Sequence, residues 1–358
     1  MALLSFLSGL AALVIGAELL VRGASNLALR FGISPLVVGL TVVSVGTSAP
    51  ELAVSVQSAM SNQADIAVGN VVGSNILNVL FILGLSALIT PLVVNRQLIR
   101  QEVPIMVGTS LLLAALAWDG ALSRIDGMIL VCLFAAYTVF LIVQSRRQEA
   151  SDPDAQTTAE PGSGWNAKLP VQIAMIVAGL ILLVVGANLL VQAAVTFAKL
   201  FGVSEMVIGL TIVAMGTSLP EVATSIMAAI RGERDIAVGN VVGSCIFNIV
   251  GVLGISSAVA SGGLSVAPAL MAFDIPVMIA VAIACLPIFF TGNLIARWEG
   301  AVFLALYAGY TIYLVMAAQQ HDALSTYGLV LGTVVLPLCV LTVGVITWRE
   351  WRARHQSS

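Results

Sequence analysis

The chain has 358 residues, 59% of them hydrophobic and 9% charged, with a mean hydropathy of +1.06 and a formal charge of −3. Soluble domains carry about a quarter charged residues, so this composition excludes a chain that covers itself for water. The small net charge says little about partners, and nothing in the composition asks for nucleic acid or an obligatory protein partner.

Apolar runs longer than 18 residues recur along the whole length, the signature of membrane-crossing helices. They predict eleven spans: 3–29, 34–60, 65–90, 102–119, 124–145, 169–200, 204–231, 235–260, 273–292, 296–317 and 325–348. The N-terminus lacks a basic leader and a small-residue cleavage site and is expected to be a retained helix. Orientation follows from Lys and Arg. Twelve of them (Arg30, Arg96, Arg100, Arg146, Arg147, Lys168, Arg231, Arg234, Arg297, Arg349, Arg352 and Arg354) fall on one side, while Arg124 and Lys199 fall on the other. The expected arrangement has the N-terminus outside and the C-terminus cytoplasmic.

In the first span, Glu18 and Arg22 are four residues apart and can pair. The second and third spans carry the most informative stretch, 39–84, which recurs at 209–254 with a constant offset of 170 residues and 26 of 46 positions identical. Each copy contains Gly-Thr-Ser-x-Pro-Glu, ending at Glu51 and Glu221. Proline removes a backbone donor, and glycine often closes a helix in the left-handed conformation. Ser48-Ala-Pro-Glu51 also fits a capping box that starts a new helix. The second span is therefore expected as two half-helices, the first ending near Gly46 and the second beginning at Ser48, and the seventh likewise around Gly216 to Glu221. Asp65 and Asp235 are expected N-caps, and Glu102 and Asp274 suit helix N-termini. Gly69-x-x-x-Gly73 and Gly239-x-x-x-Gly243 are close-packing faces. Without a preceding strand they do not make a nucleotide loop. Cys132, Cys245, Cys285 and Cys339 lie in apolar runs and are expected to be inert.

The polar stretch 146–168 predicts a cytoplasmic tether between two units. The repeat extends outward: Gly16-Ala17 recurs as Gly186-Ala187, Phe31-Gly32 as Phe201-Gly202, and Glu102-Val-Pro is echoed by Asp274-Ile-Pro. Five spans per unit make the second unit enter the membrane upside down. The expected fold is an all-α polytopic membrane protein of two inverted five-helix repeats plus an additional C-terminal transmembrane helix. Its parts are 1–145 (first repeat), 146–168 (linker), 169–317 (second repeat) and 318–358 (extra helix and basic tail).

An ionisable residue inside a membrane helix costs a few kcal/mol on insertion scales and marks function by default. A helix break at membrane depth frees carbonyls, here around Ser44 and Ala214 with Thr47 and Thr217, which are tolerated where they line a cavity or bind something. Carbonyls, hydroxyls and carboxylates form an oxygen set suited to Ca²⁺ and Na⁺. Asn78 and Asn248 lie at the centres of the third and eighth spans, and Ser74 and Ser244 precede them by one turn on the same face. The glutamates could instead serve only as caps, and the asparagines as interhelical hydrogen-bond glue. Two glutamates at matching positions in opposed units favour ion coordination.

These motifs resemble the α-repeats of the Ca²⁺/cation antiporter superfamily, in particular its compact archaeal and bacterial sodium/calcium exchangers, over about residues 1–317. The resemblance implies a ten-helix core in a prokaryotic inner membrane, in which long first and sixth helices slide past the ion-holding second, third, seventh and eighth. It implies Glu51 and Glu221 as shared carboxylates. Thr47, Ser48, Ser74 and the Ser44 carbonyl would form one cluster; Thr217, Ser218, Ser244 and the Ala214 carbonyl its mirror image, with Asn78 and Asn248 between. Asn248 stands where some relatives have aspartate, which argues mildly against potassium dependence. Cys245 replaces an asparagine, and the eleventh helix is an addition.

The expected function is Na⁺/Ca²⁺ antiport by alternating access, with Ca²⁺ and Na⁺ as substrates, no cofactor and no covalent chemistry. An H⁺/Ca²⁺ antiporter and a passive channel stay open as alternatives. A serine hydrolase is disfavoured because His321 and His355 lie outside the membrane core.

Overall fold

A computed structural model describes residues 2–151, 168–201, 208, 211–212, 214–290, 292–321, 323–330, 332–333 and 344. Its helices are α1 (Ala2–Phe31), α2 (Pro35–Thr47), α3 (Ala49–Met60), α4 (Ala64–Ile89), α5 (Leu98–Asp119), α6 (Arg124–Ser151), α7 (Leu169–Leu200), α8 (Leu219–Ile230), α9 (Arg234–Val259), α10 (Leu270–Phe290), α11 (Arg297–Ala318) and α12 (Leu324–Val330). Among the described residues eight helices (α1, α4 to α7 and α9 to α11) are long and apolar enough to cross a membrane. The joined pair α2–α3, bent by 46°, makes a ninth span. The expected seventh span is described only from 214 onward, apart from 208 and 211–212, and most of the eleventh lies outside the described residues.

Large apolar side chains lie outside as well as in the core, and polar ones such as Glu51, Glu221, Asn78 and Asn248 are buried. On α7, Ile173, Val177, Ile181 and Val185 are exposed at every fourth position, a stripe suited to lipid. The centre is the pair α4 and α9, with α9 buried along its whole apolar window. Against them pack the bent α2–α3 and α8.

Around this centre, α1 and α7 run antiparallel in the longest helix–helix contact. A Cβ on Gly16 would lie 2.9 Å from the Gly179 carbonyl, and one on Gly9 2.9 Å from that of Gly186. The backbones therefore touch, as small residues permit in membrane helices. Gly9 and Gly179 are repeat equivalents, as are Gly16 and Gly186, so equivalent first helices meet head to tail. Two short clasps repeat the pattern. β1 (Leu92–Val93) pairs with β4 (Leu294–Ile295), and β2 (Ala121–Leu122) with β3 (Leu264–Ser265), each joining one half of the chain to the other.

The break in the second span comes at Ser48, and not at a left-handed Gly46. Glycines with positive φ among the described residues are Gly32, Gly120, Gly232, Gly263 and Gly292, all in turns. Gly46 is helical and serves close packing instead: a Cβ there would meet the Leu180 side chain of α7 at 2.8 Å, and one on Gly216 would meet Val191 at 2.6 Å. Asp65 and Asp235 sit in the first turns of α4 and α9, where N-cap positions fall to Gln63 and Glu233. They face the positive helix end without capping it. Glu102 and Asp274 lie within α5 and α10, at the ends of π-helical segments Leu98–Glu102 and Leu270–Asp274. Each accepts a tyrosine hydroxyl at 2.7 Å, Tyr137 for Glu102 and Tyr310 for Asp274. Gly239 and Gly243 do receive a neighbour's backbone, Leu36 and Leu40. The equivalent neighbours of Gly69 and Gly73, residues 206 and 210, lie outside the described residues. The Glu18–Arg22 pair forms and Arg231 joins it. The segment expected as a tether begins as helix, since α6 runs to Ser151; 152–167 lie outside the described residues.

Gly179→Val should force α1 and α7 apart and destabilise the fold by about 1–3 kcal/mol, the usual cost of overpacking. Gly108, whose Cβ would meet nothing within 4 Å, is the control. Thermal unfolding in detergent should show a lower midpoint for Gly179→Val and none for Gly108→Ala.

Candidate cation-binding site

Pro50 has no N–H and cannot extend the hydrogen-bond ladder of α2 into α3. Ser48, with φ −82° and ψ 10°, is the hinge residue. It occupies the N-cap position of α3, yet its side chain makes no capping bond, so the capping-box expectation fails here. Its hydroxyl instead donates to Glu221 Oε1 of the other half at 2.7 Å. Ser218, at the N-cap of α8, likewise donates to Glu51 Oε1 at 2.7 Å. Each serine thus gives its hydroxyl hydrogen to a carboxyl oxygen of the other half, and in that orientation its Oγ caps no N–H of its own helix.

The exchange continues outward in matching pairs. Ser48 Oγ stands 3.1 Å from Ser244 Oγ, and Ser218 Oγ 3.1 Å from Ser74 Oγ. Thr47 donates to Asn240 Oδ1 at 3.1 Å, and Thr217 to Asn70 Oδ1 at 3.4 Å. Asn240 donates to Ser225 Oγ at 2.9 Å, and Asn70 to Ser55 Oγ at 3.0 Å. Every residue of one chain of contacts is the other's counterpart at the offset of 170.

Ser44, Thr47, Ser48, Glu51, Ser74, Asn78, Ser218, Glu221, Ser244 and Asn248 are all buried, and Thr217 is half-buried. The Ser44 carbonyl accepts the Ser48 N–H at 3.0 Å and the Thr47 hydroxyl at 3.3 Å, so the bend leaves it engaged. Ala214 opens the short helical turn Ala214–Gly216. Asn78 and Asn248 each begin a π-helical segment, Asn78–Leu83 and Asn248–Leu253. Such widened turns disrupt the regular ladder and are frequent at functional sites.

Among the buried side-chain oxygens without a hydrogen-bond partner among the described residues, four belong to the candidate site residues: Glu51 Oε2, Glu221 Oε2, Asn78 Oδ1 and Asn248 Oδ1. All four are acceptors, and buried acceptors are ordinarily satisfied. Unpartnered acceptors on two carboxyl groups and two asparagines fit a cation. Its donors are neutral oxygens and two carboxylates, a hard set. Among the described residues no group of three or more His, Cys, Asp or Glu gathers.

Sequence reasoning missed Asn70 and Asn240. They stand in the repeated Gly-Asn-Val-Val-Gly-Ser segment, polar and identical in both copies, and that signal lay under the glycine pattern. Asn75 was missed because its repeat counterpart is Cys245 and symmetry could not flag it.

The sodium/calcium exchanger protein family model matches residues 1–143 and 171–316. The inner membrane protein YrbG of Escherichia coli is 41% identical over 279 residues, covering 77% of this chain and 84% of its own. The sodium/calcium exchanger MaX1 of Methanosarcina acetivorans is 35% identical over 343 residues, 87% of this chain and 97% of its own. A solved structure of the sodium–calcium exchanger NCX_Mj superposes with a TM-score of 0.73 at 32% identity, over 86% of this chain and 96% of that one. With a buried acceptor cluster in an apolar helical bundle, these matches place the chain in the sodium/calcium exchanger family as an integral membrane cation/Ca²⁺ antiporter, a secondary transporter and not an enzyme.

Proposed function

We propose that the protein exchanges Na⁺ for Ca²⁺ by alternating access, with the two glutamates as the shared core of its cation site. The observation that carries this reading is the set of four unpartnered acceptors, Glu51 Oε2, Glu221 Oε2, Asn78 Oδ1 and Asn248 Oδ1. Flanking hydroxyls come from Thr47, Ser48, Ser74 and their counterparts Thr217, Ser218, Ser244, with the Ser44 and Ala214 carbonyls at the rim.

Two carboxylates give the site a charge of −2. One Ca²⁺ or two Na⁺ neutralise it, and a third Na⁺ would leave excess positive charge. Both ions want the same oxygens, so they exclude one another, and mutual exclusion is the basis of antiport. An empty site would carry uncompensated buried charge, a state costing several kcal/mol per ion. Transit with the site loaded is therefore favoured over transit with it empty, which couples the two fluxes.

The antiparallel meeting of α1 and α7 supports two inverted five-helix units, 1–145 and 169–317. It also supports a site opened alternately from opposite faces. On the Lys and Arg distribution the N-terminus is outside and the C-terminus cytoplasmic.

In proteoliposomes, Glu51→Gln and Glu221→Gln should each abolish Na⁺-dependent ⁴⁵Ca²⁺ flux while the protein stays monodisperse. Near-normal flux in both would sink the site assignment, and flux driven by a pH gradient without Na⁺ would replace sodium by protons as the coupling ion. Ca²⁺ at about 100 times its Kd should stabilise the wild-type fold by about 2.7 kcal/mol through mass action. The rise in unfolding temperature should vanish in Glu51→Gln/Glu221→Gln; its persistence there would locate Ca²⁺ elsewhere.

A further inference from the structure

The cross-half hydrogen bonds match pair for pair until position 75, whose counterpart is 245. Asn75 Nδ2 donates to the Cys245 carbonyl at 3.1 Å, and Cys245 Sγ reaches back to the Asn75 carbonyl at 3.8 Å. The same reciprocal contact is made by an amide in one direction and by a thiol in the other.

The difference propagates toward the site. A backbone carbonyl only accepts, so the Asn75 group facing Cys245 is the NH2, and Oδ1 is the end that remains. That Oδ1 accepts from Asn248 Nδ2 at 3.0 Å. The Asn248 amide is fixed in turn: its NH2 is engaged with Asn75, and its buried Oδ1 is one of the four unpartnered acceptors. An asparagine amide is usually ambiguous by a flip of its two ends, but this chain of two bonds has one solution. The mirror chain is weaker. Cys245 offers the Asn78 side chain only its sulfur, a weak acceptor, where Asn75 offers Asn248 an amide oxygen.

We propose that Asn75 is a positioning residue that clamps the Asn248 amide with its oxygen toward the cation, and that Cys245, with sulfur in place of an amide oxygen, holds Asn78 more weakly. A clamped amide presents its oxygen and does not turn its NH2, the positive end, to a cation. The cation is then held more firmly on the Asn248 side, and the nearly symmetric site becomes polar along its pseudo-two-fold direction. This inference rests on the reading of Glu51, Glu221, Asn78 and Asn248 as the cation site.

The test is Na⁺-driven ⁴⁵Ca²⁺ uptake into proteoliposomes, with KM and maximal rate measured separately. Asn75→Ala should raise the KM for Ca²⁺ about five-fold, the scale of one hydrogen bond, with a smaller change in maximal rate. In an Asn248→Ala background, Asn75→Ala should add nothing, because its effect runs through Asn248. A KM unchanged in Asn75→Ala, or an effect that adds in full to that of Asn248→Ala, overturns the clamp. Cys245→Asn is an independent arm should Asn75→Ala fail to fold. It replaces the weak sulfur contact on Asn78 with an amide clamp and should lower the KM several-fold, while a KM unchanged or raised overturns the proposal. Loss of Na⁺-driven uptake in the wild type, or its retention in Glu51→Gln, would remove the site reading itself. A normal wild type with an unaffected Asn75→Ala removes only the clamp.

Discussion

The reciprocal hydrogen bonds between Ser48 and Glu221 and between Ser218 and Glu51 are the interaction on which the architecture depends. Each carboxylate is supported by the opposite half of the chain, so neither half alone satisfies its own acid. A buried carboxylate without donors is costly enough to forbid the fold in hydrocarbon. Docking the halves and solvating the acids are thus one event. The helix breaks follow from the same need. A straight second span would aim Ser48 around its own helix, whereas the bend at Ser48 and Pro50 turns its hydroxyl across to Glu221.

The surrounding packing protects this arrangement. The broken span is enclosed between α4, α9 and α7, and backbone hydrogen bonds continue across its bend, Ser48 N–H to the Ser44 carbonyl and Leu52 N–H to the Ser48 carbonyl. Glycines make the enclosure tight where bulk would block it: Gly46 and Gly216 admit side chains of α7, and Gly239 and Gly243 admit the backbone of α2. The Tyr137–Glu102 and Tyr310–Asp274 bonds repeat the logic farther out. An acid inside a membrane helix is there paired with a hydroxyl from a neighbouring helix. The central acids differ because each keeps one oxygen unpartnered among the described residues.

Much of this was legible in the sequence because a duplication writes its geometry twice. The constant offset of 170 residues marked Glu51 and Glu221 as a pair, and the odd span count implied the opposed halves that meet along α1 and α7. Serine and proline marked the bend. Local rules then failed where long-range contacts outcompeted them. Ser48-x-x-Glu51 has the spacing of a capping box, but donation to a carboxyl group 173 residues away sets the serine's orientation, and its Oγ accepts no backbone N–H of its own helix. Gly46 has the look of a helix stop, yet its missing Cβ serves a neighbour that sequence proximity does not reveal. Asp65 and Asp235 were misplaced by two residues for a lesser reason, since a first-turn acid and an N-cap acid gain from the same helix field.

Symmetry was also the limit of that legibility. A duplicated site begins with equivalent halves, and equivalent halves bind an ion on the axis between them. Any directional preference must come from positions where the copies diverge, which a search for repeats discards. At 75 and 245 the chain holds an amide and a thiol of similar size in equivalent buried places, each reaching the other's carbonyl. The amide donates and accepts strongly and the thiol does both weakly, so the amide holds the next residue inward more firmly. The divergence leaves the backbone crossing of α4 and α9 intact and acts through hydrogen-bond polarity alone. Two halves can therefore keep the shared geometry that docking their acids requires while differing in how firmly each presents its asparagine oxygen.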